Sequence, residues 1–294
     1  MLWKGKSLIL DNFRKCLSDY TVDIQDIVRS AILDGLDISK YIDACKDNPF
    51  RLDQIRLGLK EGLSESLFGL SGDILYEVRK LKRTNNIDEI VRQISKGNLS
   101  DEHINYLLKW VKSGRSLSGI DLISIPKDLL AVYDVGLSYD LNMGIFNGIM
   151  CSADYLIALV GILRVGRPVD KFLDSSKWDL SVVNEVSRNA VNHMGWYEEW
   201  VDCLTPSMPY EIVYELRVLY SYMVKLVTKN RVSKEQLRLI DDVEYLKVFT
   251  KAAKDGMNLN DFIGLDKLSA NSLYMSNKEG TKRKISGNIR GKRD

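Results

Sequence analysis

Proline, histidine and paired cysteine are scarce in this chain, and each scarcity excludes something. Five prolines in 294 residues, with hardly any alternating β-branched run, leave helix as the only regular structure the pattern supports. Four cysteines, Cys16, Cys45, Cys151 and Cys203, stand singly with no C-x-x-C spacing, so they read as small core residues of a reduced compartment, not as a disulfide or zinc framework. Two histidines, His103 and His193, lie too far apart to suggest a catalytic or metal pair, and packed or surface roles are expected for both. No G-x-x-x-x-G-K-[ST] loop, G-x-S-x-G elbow or H-E-x-x-H helix occurs, and Glu198 and Glu199 are adjacent on a helix and so point apart. No apolar run reaches the length of a membrane span, and the opening MLWKGKSLILDNFRK turns polar too early for a signal peptide, so a cytoplasmic protein is expected.

What the chain does have is repetition. Leu52 to Phe68, LDQIRLGLKEGLSESLF, is a short amphipathic helix with Ile55, Leu59 and Leu63 at helical spacing, a closing Gly62, and a stub carrying Leu67 and Phe68. The stretch from Ile27 to Ile42 repeats it, placing Arg29, Gly35 and Tyr41 where the first has Arg56, Gly62 and Phe68. Further copies run from Tyr133 to Phe146, Leu159 to Phe172 and Phe249 to Phe262, and weaker ones centre on Arg79, Trp110 to Ile120, Arg188 and Arg217. Units recurring roughly every 23 to 33 residues, about 27 on average, indicate a stacked array, because one such unit cannot bury its own apolar face. The expected fold is all-α: an elongated solenoid-like stack of short helical hairpins.

The glycines explain how each helix stops. Gly35, Gly62, Gly114, Gly166 and Gly256 sit just past the last periodic residue, where a left-handed conformation ends a helix at no steric cost to glycine; Asn85 and Asp140 fill that slot elsewhere. Asp37-Ile38-Ser39, Ser64-Glu65-Ser66 and Asn258-Leu259-Asn260 then supply polar residues able to cap a second, shorter helix.

These units resemble a short helical repeat of the form QM-x-x-IR-x-GL-x-x-GLDVS-x-Y, found in tandem in poorly characterised proteins of phages and conjugative elements of gut clostridia and their relatives. Gln54-Ile55-Arg56, Gly58-Leu59 and Gly62-Leu63 carry the resemblance in one unit, and Gly35-Leu36-Asp37-Ile38-Ser39 with Tyr41 in the one before. From Asp73 onward only periodicity and glycine placement persist. The resemblance implies a fold and a mobile-element setting, and brings no catalytic residues with it.

The expected organisation is an N-terminal capping helix over 1–20, a repeat array over 21–204, C-terminal helical repeats over 205–269 and a flexible basic tail over 270–294. Thr205-Pro206-Ser207-Met208-Pro209 carries the strongest linker signal, with lesser boundaries at Gly97 to His103, where Ser100 is an N-cap, and at Ser124 to Pro126. The chain has a formal charge of +2, and its last 25 residues hold seven basic and two acidic side chains, so the remaining body is mildly acidic, at −3. That body is not a general nucleic-acid binder.

Two features bear on function. An arginine returns in one register at Arg29, Arg56, Arg79, Arg188 and Arg217, and the reading favoured for it is a brace from each repeat to the next. Aromatics concentrate at Trp178, Trp196, Tyr197, Trp200, Tyr210, Tyr214, Tyr220 and Tyr222. Packing accounts for most of these rings, yet Tyr210, Tyr214 and Arg217 lie beside the core stripe of their helix and, with Trp196 and Trp200, form the candidate protein-binding site. The expected function is a non-enzymatic protein-binding scaffold or adaptor of a phage or mobile element, acting on a protein complex such as a host defence system. It needs no cofactor, metal or small-molecule substrate. The alternative is a nucleic-acid-associated accessory factor of conjugation or phage replication, contacting DNA or RNA through Lys282, Arg283, Lys284, Arg290, Lys292 and Arg293.

Overall fold

A computed structural model of the chain describes residues 17–84, 87–97, 99–191, 196–223, 232–238 and 240–290. All regular structure among them is helical: α1 (Val22–Asp34), α2 (Ser39–Ile42), α3 (Pro49–Lys60), α4 (Gly72–Lys82), α5 (Asp88–Ser95), α6 (Asp101–Lys112), α7 (Leu130–Ser138), α8 (Ala153–Arg164), α9 (Leu180–Asn189), α10 (Tyr197–Cys203), α11 (Tyr210–Met223), α12 (Lys234–Arg238), α13 (Val243–Lys254) and α14 (Lys267–Arg290), joined by short 3-10 turns. The all-α expectation is therefore met.

Each repeat keeps one internal ruler. The side chains of Asn48, Ser71, Ser100, Ser152, Asp179 and Asp242 accept backbone N–H groups of the first turn that follows, which satisfies donors a helix start leaves unpaired. From Thr21 to Gly35, Asn48 to Gly62, Ser100 to Gly114, Pro126 to Asp140, Ser152 to Gly166 and Asp242 to Gly256, the residue before the helix, or in the case of Pro126 before the 3-10 turn that leads into it, and the left-handed residue after it stand fourteen positions apart. At those six stops φ is 75°, 68°, 67°, 55°, 76° and 71°, and Asp140 is the one non-glycine with positive φ among the described residues. The N–H after each stop bonds back to the carbonyl five residues earlier: Leu36 to Ala31, Leu63 to Gly58, Arg115 to Trp110, Leu141 to Gly136, Arg167 to Ile162 and Met257 to Ala252. That is the Schellman closure, and it fixes the direction in which the chain leaves the helix.

The second element is pinned back by side chains. Six residues after the stop, Phe68, Phe146, Phe172 and Phe262 are buried, and Ile120 takes that place in the Gly114 repeat. The third helical residue, where polar, ties the helix to its own second element: Arg51 Nη2 bonds the carbonyl of Phe68 at 3.0 Å, Tyr155 Oη that of Phe172 at 2.8 Å, Tyr245 Oη that of Phe262, and His103 Nε2 that of Ile125 at 2.8 Å. His103 is thus a packed residue, its Nδ1 2.7 Å from the Ser100 hydroxyl. The short elements are capped partly as expected: Asp37 accepts from Ser39 N and Asn258 from Asn260 N, whereas Ser64 pairs with the Ser66 hydroxyl instead.

Two compact bodies result, 1–148 and 149–294. Across the linker signal at Thr205 to Pro209, α10 packs on α11 and α12, and Trp200 Nε1 bonds the Val213 carbonyl at 3.2 Å. Within the C-terminal repeats a fresh helix starts at α13, where the Asp242 carboxylate accepts from Glu244 N at 2.8 Å and Tyr245 N at 3.0 Å. The tail expected to be flexible from Ala270 is helical in α14 through Arg290. Composition concealed a further repeat there: Asp266 caps the helix through Ser269 N at 3.0 Å, and Ala270 and Tyr274 are buried on the side that meets α13. The N-terminal capping helix, Asn85 and His193 fall on residues outside those described, except for a turn at 17–20.

Candidate protein-binding site

Counted from its N-cap as position 0, or for α7 from Pro126 before the 3-10 turn that leads into it, position 7 is buried in nine helices: Val28, Ile55, Val78, Leu107, Tyr133, Leu159, Val186, Leu216 and Phe249; in α14 it is the half-buried Leu273. Position 8 lies at the edge of this stripe, where a long polar side chain can reach the preceding repeat. Arg56, Arg79 and Arg217 occupy it. Arg56 Nη1 meets Asp34 of the previous helix at 2.7 Å, and the Arg79 fork binds both carboxylate oxygens of Glu61. Arg217 Nε lies 2.7 Å from Glu185 Oε1, an ion pair by distance rather than an aligned hydrogen bond. The arginine register therefore braces neighbouring repeats at these three positions. Among the described residues Arg29 pairs only with Asp26 of its own helix, and Arg188, at position 9, is exposed with no ion pair.

The expected aromatic site separates into a buried part and a surface part. Trp196 and Trp200 are 4% and 0% exposed, so neither can contact a partner, contrary to expectation. Trp200 anchors α10, with Trp196 and Tyr197 rings 5.9 and 6.0 Å from it, and Trp178 meets Phe172 edge to face at 4.8 Å. Tyr220 is equally buried, its hydroxyl 2.8 Å from Cys203 Sγ, and burial pushes its ionisation far above the ordinary tyrosine range.

The surface part is held together by a residue the sequence reading passed over. Glu185, on α9, is a buried carboxylate, 7% exposed at its side chain, which receives Asn189 Nδ2 at 3.1 Å, the Arg217 guanidinium and, at 3.5 Å, the Tyr210 hydroxyl. Burial and then the charge of Glu185 raise the Tyr210 pKa, keeping that hydroxyl a donor. Arg217 in turn lies over the Tyr214 ring, its guanidinium carbon 4.7 Å from the centroid, and the Tyr210 ring centroid is 6.3 Å from that of Tyr214. The outcome is a tyrosine, 40% exposed, whose ring is held by a clamped cation and a neighbouring ring. Such a ring offers contact area at little further entropic cost. The signal available in sequence was a glutamate at a helix position that faces the next repeat, which periodicity alone does not distinguish from a solvated acid.

Of the basic residues considered for nucleic acid, Lys282, Arg283, Lys284 and Arg290 belong to α14, with side chains outside those described, and Lys292 and Arg293 lie beyond the described residues. No helix among the described residues is long and apolar enough to cross a membrane. No protein-family model matches the chain, and neither curated proteins nor solved structures provide a match.

Proposed function

We propose that the chain is a non-enzymatic protein-binding scaffold, engaging its partner through the surface formed by Tyr210 and Tyr214 on α11. The observation that carries this reading is the preorganised ring of Tyr214: an exposed aromatic beside a fixed guanidinium matches the residue types that dominate binding energy at protein interfaces. Arg217 acts here as the support of the ring and as the brace to Glu185, not as a free hot spot. The resemblance to phage and conjugative-element repeats supports a cytoplasmic partner complex of the host or the element, a bacterial defence system among them.

The test is affinity capture from the native host with the wild-type chain and with Tyr210→Ala/Tyr214→Ala. A stoichiometric protein retained by the first and lost by the second supports the reading; equal recovery by both rejects this face. The alternative, a nucleic-acid accessory role, has the basic residues from Lys278 to Arg293 in its favour. Removal of 277–294 then abolishes DNA or RNA binding and its salt dependence, while the protein partner is unaffected on the scaffold reading.

A further inference from the structure

The joints between repeats obey one rule, and the first and last of the described helices leave it unfulfilled. Position 8 of a helix reaches back to position 6, 9, 10 or 13 of the preceding one: Arg56 to Asp34, Arg79 to Gln54 and Glu61, Asp134 to Lys109 and Trp110, Arg217 to Glu185, and Tyr274 to Asp255 at 2.8 Å. Position 12 does the same: Lys60 to Asp34, Arg83 to Glu61, Lys112 to Glu77, and Lys278 to Asp255 at 3.7 Å. At position 1, Gly72 rests against Phe50, position 2 of the helix before. Positions 1, 8 and 12 thus face backward, and 2, 6, 9, 10 and 13 face forward.

In α14 the forward positions are Leu268, Ser272, Met275, Ser276 and Glu279. Leu268 and Met275 are 78% and 50% exposed, and Glu279, which stands where Asp34, Glu61 and Asp255 each accept from the next repeat, has no bond to any described residue. In α1 the backward positions are Val22, Arg29 and Leu33. Val22 and Leu33 are 70% and 75% exposed, and Arg29, at position 8, has an ion pair among the described residues only with Asp26 of its own helix. Stacked repeats ordinarily end in polar capping faces, because an apolar end invites another unit. Here each end presents one half of the same joint, with matching charge and matching apolar side chains.

We infer that the chain associates head to tail with a second copy, α14 of one copy receiving α1 of the next in the register of the internal joints. Arg29 then meets Glu279 as Arg56 meets Asp34, Val22 covers Leu268 as Gly72 covers Phe50, and Leu33 lies beside Met275. Such an interface joins two different surfaces, so it propagates unless the rotation between copies closes a ring.

Sedimentation equilibrium of the full chain over a concentration series tests this, with Met275→Asp and Leu33→Asp as variants that each spoil one end at an exposed position. Wild type is expected to exceed dimer mass as concentration rises, each variant alone to remain monomeric with unchanged Tm, and an equimolar mixture of the two to stop at a 1:1 heterodimer, since only one productive joint remains. Glu279→Arg and Arg29→Glu should each weaken association at least tenfold, and the double variant should recover it. A wild type that is monomeric throughout, a Met275→Asp chain that assembles like wild type, a mixture without heterodimer, or a charge reversal that fails to rescue would each overturn the inference.

Discussion

Arg79 holds Glu61 of the preceding repeat by two parallel bonds, Nε to Oε2 at 2.9 Å and Nη2 to Oε1 at 2.7 Å, while its remaining nitrogen binds the buried Gln54. The Arg79 side chain is 8% exposed, and Gln54 Oε1 and Glu61 Oε2 rely on it, while Glu61 Oε1 also accepts from Arg83 at 2.7 Å. Arg79→Ala should destabilise the protein by about 2 to 3 kcal/mol, near the lower end for breaking a buried pair because Glu61 keeps some water. Arg79→Lys should recover only part of this, since an ammonium cannot reproduce the fork. Urea midpoints of the three proteins provide the check.

The same pair sets an acid sensitivity. Hydrogen bonds from Arg79 hold the Glu61 carboxyl below its usual value, and a bond from Lys60 does so for Asp34. A carboxyl depressed in the folded state contributes its stability above the unfolded pKa, about 4, and loses it as pH falls through the lower folded value. Stability should therefore be level from neutral pH to just above that unfolded value and then decline. In Arg79→Ala the decline should be shallower, and denaturation midpoints followed from pH 6 to 2 would refute the assignment if wild type and variant fell in parallel.

Two glycines of the repeat should respond differently to alanine. A β-carbon at Gly62 would find only Lys82 Nζ, at 3.7 Å, so Gly62→Ala should cost about 1 kcal/mol through its left-handed backbone alone. At Gly136, within α7, the added carbon would overlap Met143, and Gly136→Ala should cost more until a Met143→Ala partner change relieves it. Asp140→Gly, at the left-handed stop that lacks a glycine, should stabilise by roughly 0.5 to 1 kcal/mol. Thermal unfolding of the set would expose a misassigned register as a change of sign.

Tyr214 and Trp200 separate binding from folding. Trp200→Phe should lower Tm, because it removes a bond to the Val213 carbonyl and leaves a void in a fully buried site. Tyr214→Ala should leave Tm within about 2 °C, as surface changes usually do, and weaken partner capture. A Tyr214→Ala chain that unfolds early would assign that ring to packing.

The sequence by itself determined the backbone events of each repeat. Asn48, Ser71 and Ser100 start helices, Gly35, Gly62 and Asp140 end them left-handed, and Phe68 and Phe172 return to cover them, since these outcomes follow from side-chain reach and φ/ψ sterics within one turn. Only the tertiary structure decided which side of a helix meets another. It buried Trp196 and Trp200, which share an aromatic stretch with exposed Tyr214; it drew Glu185 inward to hold Arg217; and it made a repeat of the polar stretch after Asp266. Those assignments depend on side chains of neighbouring elements farther along the chain, and a periodic pattern is the same whether the neighbouring surface is protein or water.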